Sequence, residues 1–198
     1  MASKKADKFP KWFEDNNTIS DFTEGLKEYK DKKNLKFLQI GVFTGNASVW
    51  LMENILTDPS STLTDVDPWC GNLQHESVYD WKELEEAYDE QIKPYTNRVK
   101  KNKSYSEQWL KDNRDEQYDF IYIDGDHRPE AVTSDSELSW GLLKNNGIMA
   151  FDDYEWNHPD GIDLNPKPAI DKFLKDHFNE IEIIKMGWQV WIRKVGTK

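Results

Sequence analysis

Tyr118-Asp119-Phe120-Ile121-Tyr122-Ile123-Asp124-Gly125-Asp126-His127 is a nearly unbroken apolar run that stops at a glycine flanked by acids. Large apolar side chains at both parities are typical of a parallel strand buried on both faces, not of a half-wet antiparallel one. Downstream, residues 128–143 carry Ala131, Leu138 and Leu142 on one helical side and stop at Asn145-Asn146-Gly147. Ile148-Met149-Ala150-Phe151 then reads as a second buried strand, again ending in acids, Asp152-Asp153. Two buried strands joined by one helix of this length come to lie side by side and parallel.

Upstream, residues 35–40 run straight into Gly41-Val42-Phe43-Thr44-Gly45. Val49, Trp50, Met52, Ile55 and Leu56 then recur at helical spacing, with Asn46 placed as the N-cap. A short strand at 62–67 ends at Pro68, and 69–95 reads as a polar, tryptophan-bearing insertion with a helix over 81–92 and little core. Residues 98–103 form a weaker strand and 105–111 a helix. After a loop at 154–167 come a helix at 168–178 and two runs, 180–186 and 188–194, joined at Gly187 as an antiparallel hairpin. The alternation predicts an α/β fold: a doubly wound, Rossmann-like, mostly parallel sheet with helices on both faces and a C-terminal antiparallel hairpin. Ile19, Phe22, Leu26 and Tyr29 make residues 1–34 a helical cover over the 35–198 core of a single domain spanning 1–198.

Composition limits the partners. The chain has 198 residues and a net charge of −11, which repels phosphate backbones and anionic membranes, so neither nucleic acid nor membrane is expected. Charged residues reach 32%, yet nine tryptophans, eight tyrosines and nine phenylalanines supply the apolar surface that a disordered chain lacks. Cys70 is the single cysteine, which excludes an internal disulfide and fits a reducing, cytoplasmic setting. No apolar run approaches the roughly 20 residues that span a bilayer.

In doubly wound sheets, ligands bind beyond the carboxyl ends of the strands. There the sequence places the glycine turn, Asp65 and Asp67, 104–106, 124–127 and Asp152-Asp153. The turn is G-x-x-x-G rather than the G-x-G-x-x-G of a dinucleotide fingerprint, and taken alone it is an ordinary strand-to-helix turn. An acid after the second strand suits a ribose hydroxyl pair; Asp67 follows the last apolar strand residue, and Asp65 serves if the strand ends earlier. Asp124, Asp126, Asp152 and Asp153 converge, and carboxylates that close call for a hard divalent cation such as magnesium, calcium or manganese rather than zinc. His127 stands beside them, where it can take a proton from a hydroxyl acidified by the cation.

These residues resemble the class I S-adenosylmethionine-dependent O-methyltransferases, within them the metal-dependent branch that includes macrocin and related sugar O-methyltransferases, with catechol O-methyltransferase more distant. The resemblance rests on 39–45, on 118–127 and on 142–154. It implies S-adenosylmethionine and Mg2+ (or another hard divalent cation) as cofactors and a small hydroxyl-bearing acceptor, sugar-like or catechol-like, with a homo-oligomer left open. It assigns Asp124, Asp152 and Asp153 to the metal and His127 to the general base. Gly41, Phe43 and Gly45 would border the cofactor's methionine part, Asp67 its ribose and Ser106 its adenine, with Asp124 also touching the cofactor. Gln39 replaces the acid usual at the end of the first strand, and Asn146-Gly147 replaces Gly-Gly. The alternative reading is a cofactor- or partner-binding protein that keeps the fold without turnover. Trp69, Trp81, Tyr154 and Trp156 are the expected acceptor-stacking aromatics, and either Asp152 or Asp153 is expected to be removable without loss of fold.

Overall fold

The computed structural model describes residues 5–14, 17–71, 78–157, 161 and 164–196. Seven strands form one sheet in the order β3-β2-β1-β4-β5-β7-β6. They are β1 (Lys36–Ile40), β2 (Thr62–Asp67), β3 (Val99–Lys103), β4 (Tyr118–Ile123), β5 (Leu143–Phe151), β6 (Ile181–Met186) and β7 (Val190–Lys194). The first five are mutually parallel, while β7 runs antiparallel to both β5 and β6. The doubly wound sheet with its terminal hairpin is therefore the one expected. Six α-helices accompany it among the described residues: α1 (Thr18–Gly25), α2 (Asn46–Asn54), α3 (Trp81–Ile92), α4 (Ser106–Asp112), α5 (Pro129–Leu142) and α6 (Lys167–Asp176).

Strand parity sorts the core into two layers. Phe37, Phe120, Tyr122, Ile148, Ala150 and Trp191 join Phe22, Leu26, Leu51, Leu84 and Tyr88 on one face. Leu38, Ile121, Ile123, Met149, Phe151 and Ile192 meet Leu110, Val132, Trp140, Ile170 and Phe173 on the other. The N-terminal cover belongs to the first layer, since Ala6, Phe9 and Phe22 pack in it. Ile19 does not follow its neighbours inward and is 37% exposed; α1 ends at Gly25, and Leu26 and Tyr29 reach the core from beyond it.

Three local expectations change. The segment after β2 is core-forming: Trp69, Leu84, Ala87, Tyr88 and Ile92 are all buried. Asn46 is the first residue of α2 rather than its cap; Gly45 caps in the left-handed region, and the Asn46 side chain instead accepts from Gln91 Nε2 at 2.8 Å. Finally, α5 ends at Leu142 and β5 starts at once, with a register shift against β4 that contains Asn146 at φ 64°.

Candidate active site

Strand order reverses between β1 and β4, and the chain leaving each strand there is pinned to its neighbour. Asp124 N donates to Ile40 O at 2.9 Å, Gly41 N to Val66 O at 3.0 Å and Asp152 N to Ile123 O at 3.0 Å. The glycine turn and the two acidic strand ends thus share one edge of the sheet, at the switch point where such folds bind ligands. Gly41 makes this approach feasible: at φ +76° a Cβ would sit 1.9 Å from Asp124 O. No side chain fits between these two backbones.

On the β1–β2 side, polar side chains are engaged in shaping the turn. Asp67 Oδ2 accepts from Val42 N at 2.8 Å and Phe43 N at 3.1 Å, and its Oδ1 accepts from Trp69 N at 2.7 Å. Burial nevertheless raises the Asp67 pKa, outweighing those three amides. Phe43 itself adopts φ 52°, so the turn is held in a conformation that most side chains resist. Gln39 is clipped in place, donating Nε2 to Gly41 O at 3.1 Å and accepting from Ser48 Oγ at 3.2 Å. Asp65 lies in the strand interior, opposite Gln39 in register, and accepts from Tyr88 OH at 2.9 Å. Of the two acids weighed for a ribose, only Asp67 lines the cleft. Ser106, the first residue of α4, lines it as well and hydrogen-bonds towards Asp135, a buried acid of α5.

The β4–β5 side is built differently. One ligand atom each from Asp124, His127 and Asp153 lie within 4.8 Å of one another. His127 Nε2 is 3.0 Å from Asp153 Oδ2, while its Nδ1 is buried without a hydrogen-bond partner. Burial and the charges of Asp152 and Asp153 hold Asp124 well above the usual carboxylate range. Burial pulls His127 down, but the Asp153 hydrogen bond and the charges of Asp153, Asp152 and Asp126 outweigh it and raise its pKa. Asp152 belongs to the same charged neighbourhood yet stands outside the close trio. Its Oδ2 accepts from Tyr122 OH at 2.6 Å and its Oδ1 from Gln189 Nε2 at 3.0 Å. Burial, then the charge of Asp153, push Asp152 up to about 6. Asp126 turns aside, accepting from Arg128 N at 3.1 Å and pairing with the Arg128 guanidinium at 2.9 Å.

A cleft of about 920 Å³ joins the two sides. Of the four expected stacking aromatics, Trp81 and Trp156 line it. Trp156 meets His127 edge-on at 4.8 Å. Trp69 is instead buried, its indole donating to Phe43 O at 3.0 Å and its ring against Tyr88 at 4.8 Å. Tyr154 is committed to α6 through Asp171 at 2.7 Å. Residues 72–77, 158–160, 162 and 163 of the two expected acceptor loops lie outside the described residues. Pro10, Trp12, Phe13 and Trp188 also line the cleft, unforeseen from sequence. Trp12, 46% exposed, tilts over Phe43 at 4.6 Å. Among the described residues, no helix is long and apolar enough to cross a membrane.

Residues 38–154 match the family described as a methyltransferase domain. A relative from Acanthamoeba polyphaga mimivirus, uncharacterized protein R132, is 25% identical over 175 residues; the match covers 77% of this chain but 65% of the viral protein. Among solved structures, the MycE methyltransferase of mycinamycin biosynthesis, in complex with Mg, SAH and mycinamycin VI, superposes with a TM-score of 0.67 at 13% identity. That likeness covers 100% of this chain and 55% of MycE. The O-methyltransferase from Bacillus cereus in complex with SAH gives a TM-score of 0.60 at 15% identity, over 81% of this chain and 74% of that one. With more than half its length matched, the chain belongs to the methyltransferase-domain family, on the class I fold of the S-adenosylmethionine-dependent O-methyltransferases.

Proposed function

We propose that this protein transfers a methyl group from S-adenosylmethionine to a hydroxyl of a small acceptor, assisted by a hard divalent cation. One observation carries the reading: a glycine turn pressed backbone-to-backbone against β4 opens into the same cleft as the Asp124, His127 and Asp153 trio. The residues suit both groups. A turn without side-chain bulk, braced by Asp67, suits the close approach of a cofactor's methionine part between Gly41, Phe43 and Gly45, with Ser106 and the remaining acceptor capacity of Asp67 turned towards its adenosyl part. Carboxylates this close, with burial and the charge of Asp153 raising both Asp124 and Asp152, suit a hard cation; Asp124, Asp152 and Asp153 would hold it.

S-adenosylmethionine, when bound, supplies an electrophilic methyl on a sulfonium, and the cation lowers the pKa of a coordinated hydroxyl. The chain's own residues do the rest. His127 lines the cleft beside Asp124 and is steadied through Nε2 by Asp153, which suits its imidazole to take the hydroxyl proton. Trp156, packed on the imidazole, restrains the ring and limits water there. Because the turn and the trio stand on rigid strand ends, catalysis rests on orientation and electrostatics. MycE, which binds magnesium and SAH on this fold, supports the reading.

The cleft also bears on the acceptor. Its described lining carries one cationic side chain, Arg128, and that guanidinium is already paired with Asp126. Aromatic side chains flank the trio. An uncharged ring-bearing alcohol, a sugar or a catechol, fits these walls better than a phosphorylated or carboxylated one. Incubation with labelled S-adenosylmethionine, magnesium and a panel of neutral sugars and catechols tests this: a methyl ether that disappears with EDTA is expected. Binding of neither S-adenosylhomocysteine nor magnesium would refute it.

A further inference from the structure

Asp152 is not left to find its own orientation. Tyr122 OH donates to Oδ2 at 2.6 Å and Gln189 Nε2 donates to Oδ1 at 3.0 Å. A primary amide can turn either way round, and here something decides which. The Trp191 indole, which can only donate, gives its N–H to Gln189 Oε1 at 3.0 Å. That contact forces the NH2 end of Gln189 towards Asp152. Trp191 in turn cannot move. It stacks on Phe120 at 5.5 Å and 15°, takes the edge of Phe22 at 5.2 Å, and abuts Gly25 of α1 so closely that a Cβ there would sit 2.6 Å from the ring. Gln189, Trp191 and Tyr122 are all essentially inaccessible to solvent.

A directional chain of donors thus runs from Trp191 through Gln189 to Asp152. Two donors occupy one lone pair on each carboxylate oxygen and leave the others for a ligand. We infer that Gln189, locked by Trp191, is a positioning residue that aims Asp152 at the cation, so that the terminal hairpin sets metal affinity. This rests on the reading of Asp152 as a metal ligand made above. Partners of this kind, which orient the ligands rather than touch the metal, typically contribute 10–100-fold to affinity.

The test is calorimetric titration of the full chain with Mg2+, and with Mn2+ as a second probe, alongside titration with S-adenosylhomocysteine. Gln189→Met keeps the volume and removes both polar ends; Trp191→Phe keeps the stacked ring and frees the amide to flip. Gln189→Met is expected to weaken metal binding 10–100-fold and Trp191→Phe less, with the S-adenosylhomocysteine Kd unchanged. The metal concentration for half-maximal activation rises in step, while kcat at saturating metal holds. Should Gln189→Met fail to fold, Trp191→Phe and Tyr122→Phe carry the measurement. Wild-type metal affinity in the folded hairpin variants, with Asp152→Ala impaired, overturns the inference and spares the role of Asp152. Wild-type affinity in Asp152→Ala itself overturns both.

Discussion

The two sides of the cleft carry acids at equivalent places, yet the protein treats them in opposite ways. At the ends of β1 and β2, Asp67 receives three backbone amides, Gln39 clips the glycine turn and Asp65 takes the Tyr88 hydroxyl. Those groups shape the chain. At the ends of β4 and β5, Asp124, His127 and Asp153 face one another; burial and the neighbouring carboxylates raise Asp124, and Asp153 raises His127 against its burial. Clustered like charge in a partly buried site is costly to fold and persists where function needs it. Scaffolding on one side and chemistry on the other is the division that the following experiments can break.

The largest effect belongs to the seam between the halves. Gly41→Ala places a methyl 1.9 Å from Asp124 O at a φ of +76°. Strain in the left-handed region adds about 1–2 kcal/mol to a backbone clash that only separation of β1 from β4 relieves. The expected outcome is loss of cooperative thermal unfolding or of S-adenosylhomocysteine binding. A stable variant with native affinity would mean that the turn is not pressed against β4.

His127→Ala tests the chemical half. If the imidazole is the base, turnover falls by roughly 10²–10⁴-fold while calorimetric metal affinity holds. Because His127 also belongs to the close trio, a parallel collapse of metal affinity would instead make it a ligand.

Much of this division was legible in the chain itself. The 118–127 and 148–153 runs announce buried parallel strands ending in acids, because covering on both faces leaves only apolar residues in the strand and releases polar ones at its end. The core role of 81–92 was also available in Leu84, Ala87, Tyr88 and Ile92 at helical spacing, but the surrounding acids and amides obscured it. Other features were not legible. Whether Trp69 stacks on a ligand or on Tyr88 depends on tertiary placement, as does the approach of Trp12 to Phe43. Gln189, between a turn and an apolar strand, reads as one more hairpin polar residue. Its partners Asp152 and Tyr122 lie 37 and 67 positions away.

A pH experiment probes the scaffolding half. Asp65 is buried, and that burial pushes its carboxyl from 3.8 up to about 7, against the Tyr88 hydrogen bond. The folded state therefore keeps this proton between about pH 4 and pH 7 whereas the unfolded state has lost it. Stability from this group is full below about pH 4 and is lost as pH rises through about 7. Asp65→Asn mimics the protonated acid at every pH. It is expected to match the wild type in thermal midpoint near pH 4 and to have a higher midpoint at pH 8, reflecting a gain in unfolding free energy on the order of 2–4 kcal/mol. An equal or lower midpoint at pH 8 would show the acid to be ionised and well solvated in the fold.

The smallest effect separates neighbours that sequence treats alike, Asp152 and Asp153. Without metal, removing a carboxylate from a repelling cluster is favourable, so both substitutions were expected to leave the apo fold level or stabilised. The structure distinguishes them. Asp152→Ala strands the buried Tyr122 hydroxyl, which loses its acceptor at a cost of about 1–3 kcal/mol, and leaves the Gln189 amide only the longer bond to Tyr122 OH at 3.3 Å. Repulsion relieved from Asp124 offsets only part of that. Asp153 sits at φ 55°, where asparagine is tolerated as well as aspartate, so Asp153→Asn removes charge without new backbone strain. The asparagine side chain keeps an oxygen that can accept from His127 Nε2. In EDTA, the thermal midpoint should drop by several degrees for Asp152→Ala and stay level or rise for Asp153→Asn. The reverse order would place the structural carboxylate at 153 and the chemical one at 152, and with it would go the claim that Gln189 aims the latter.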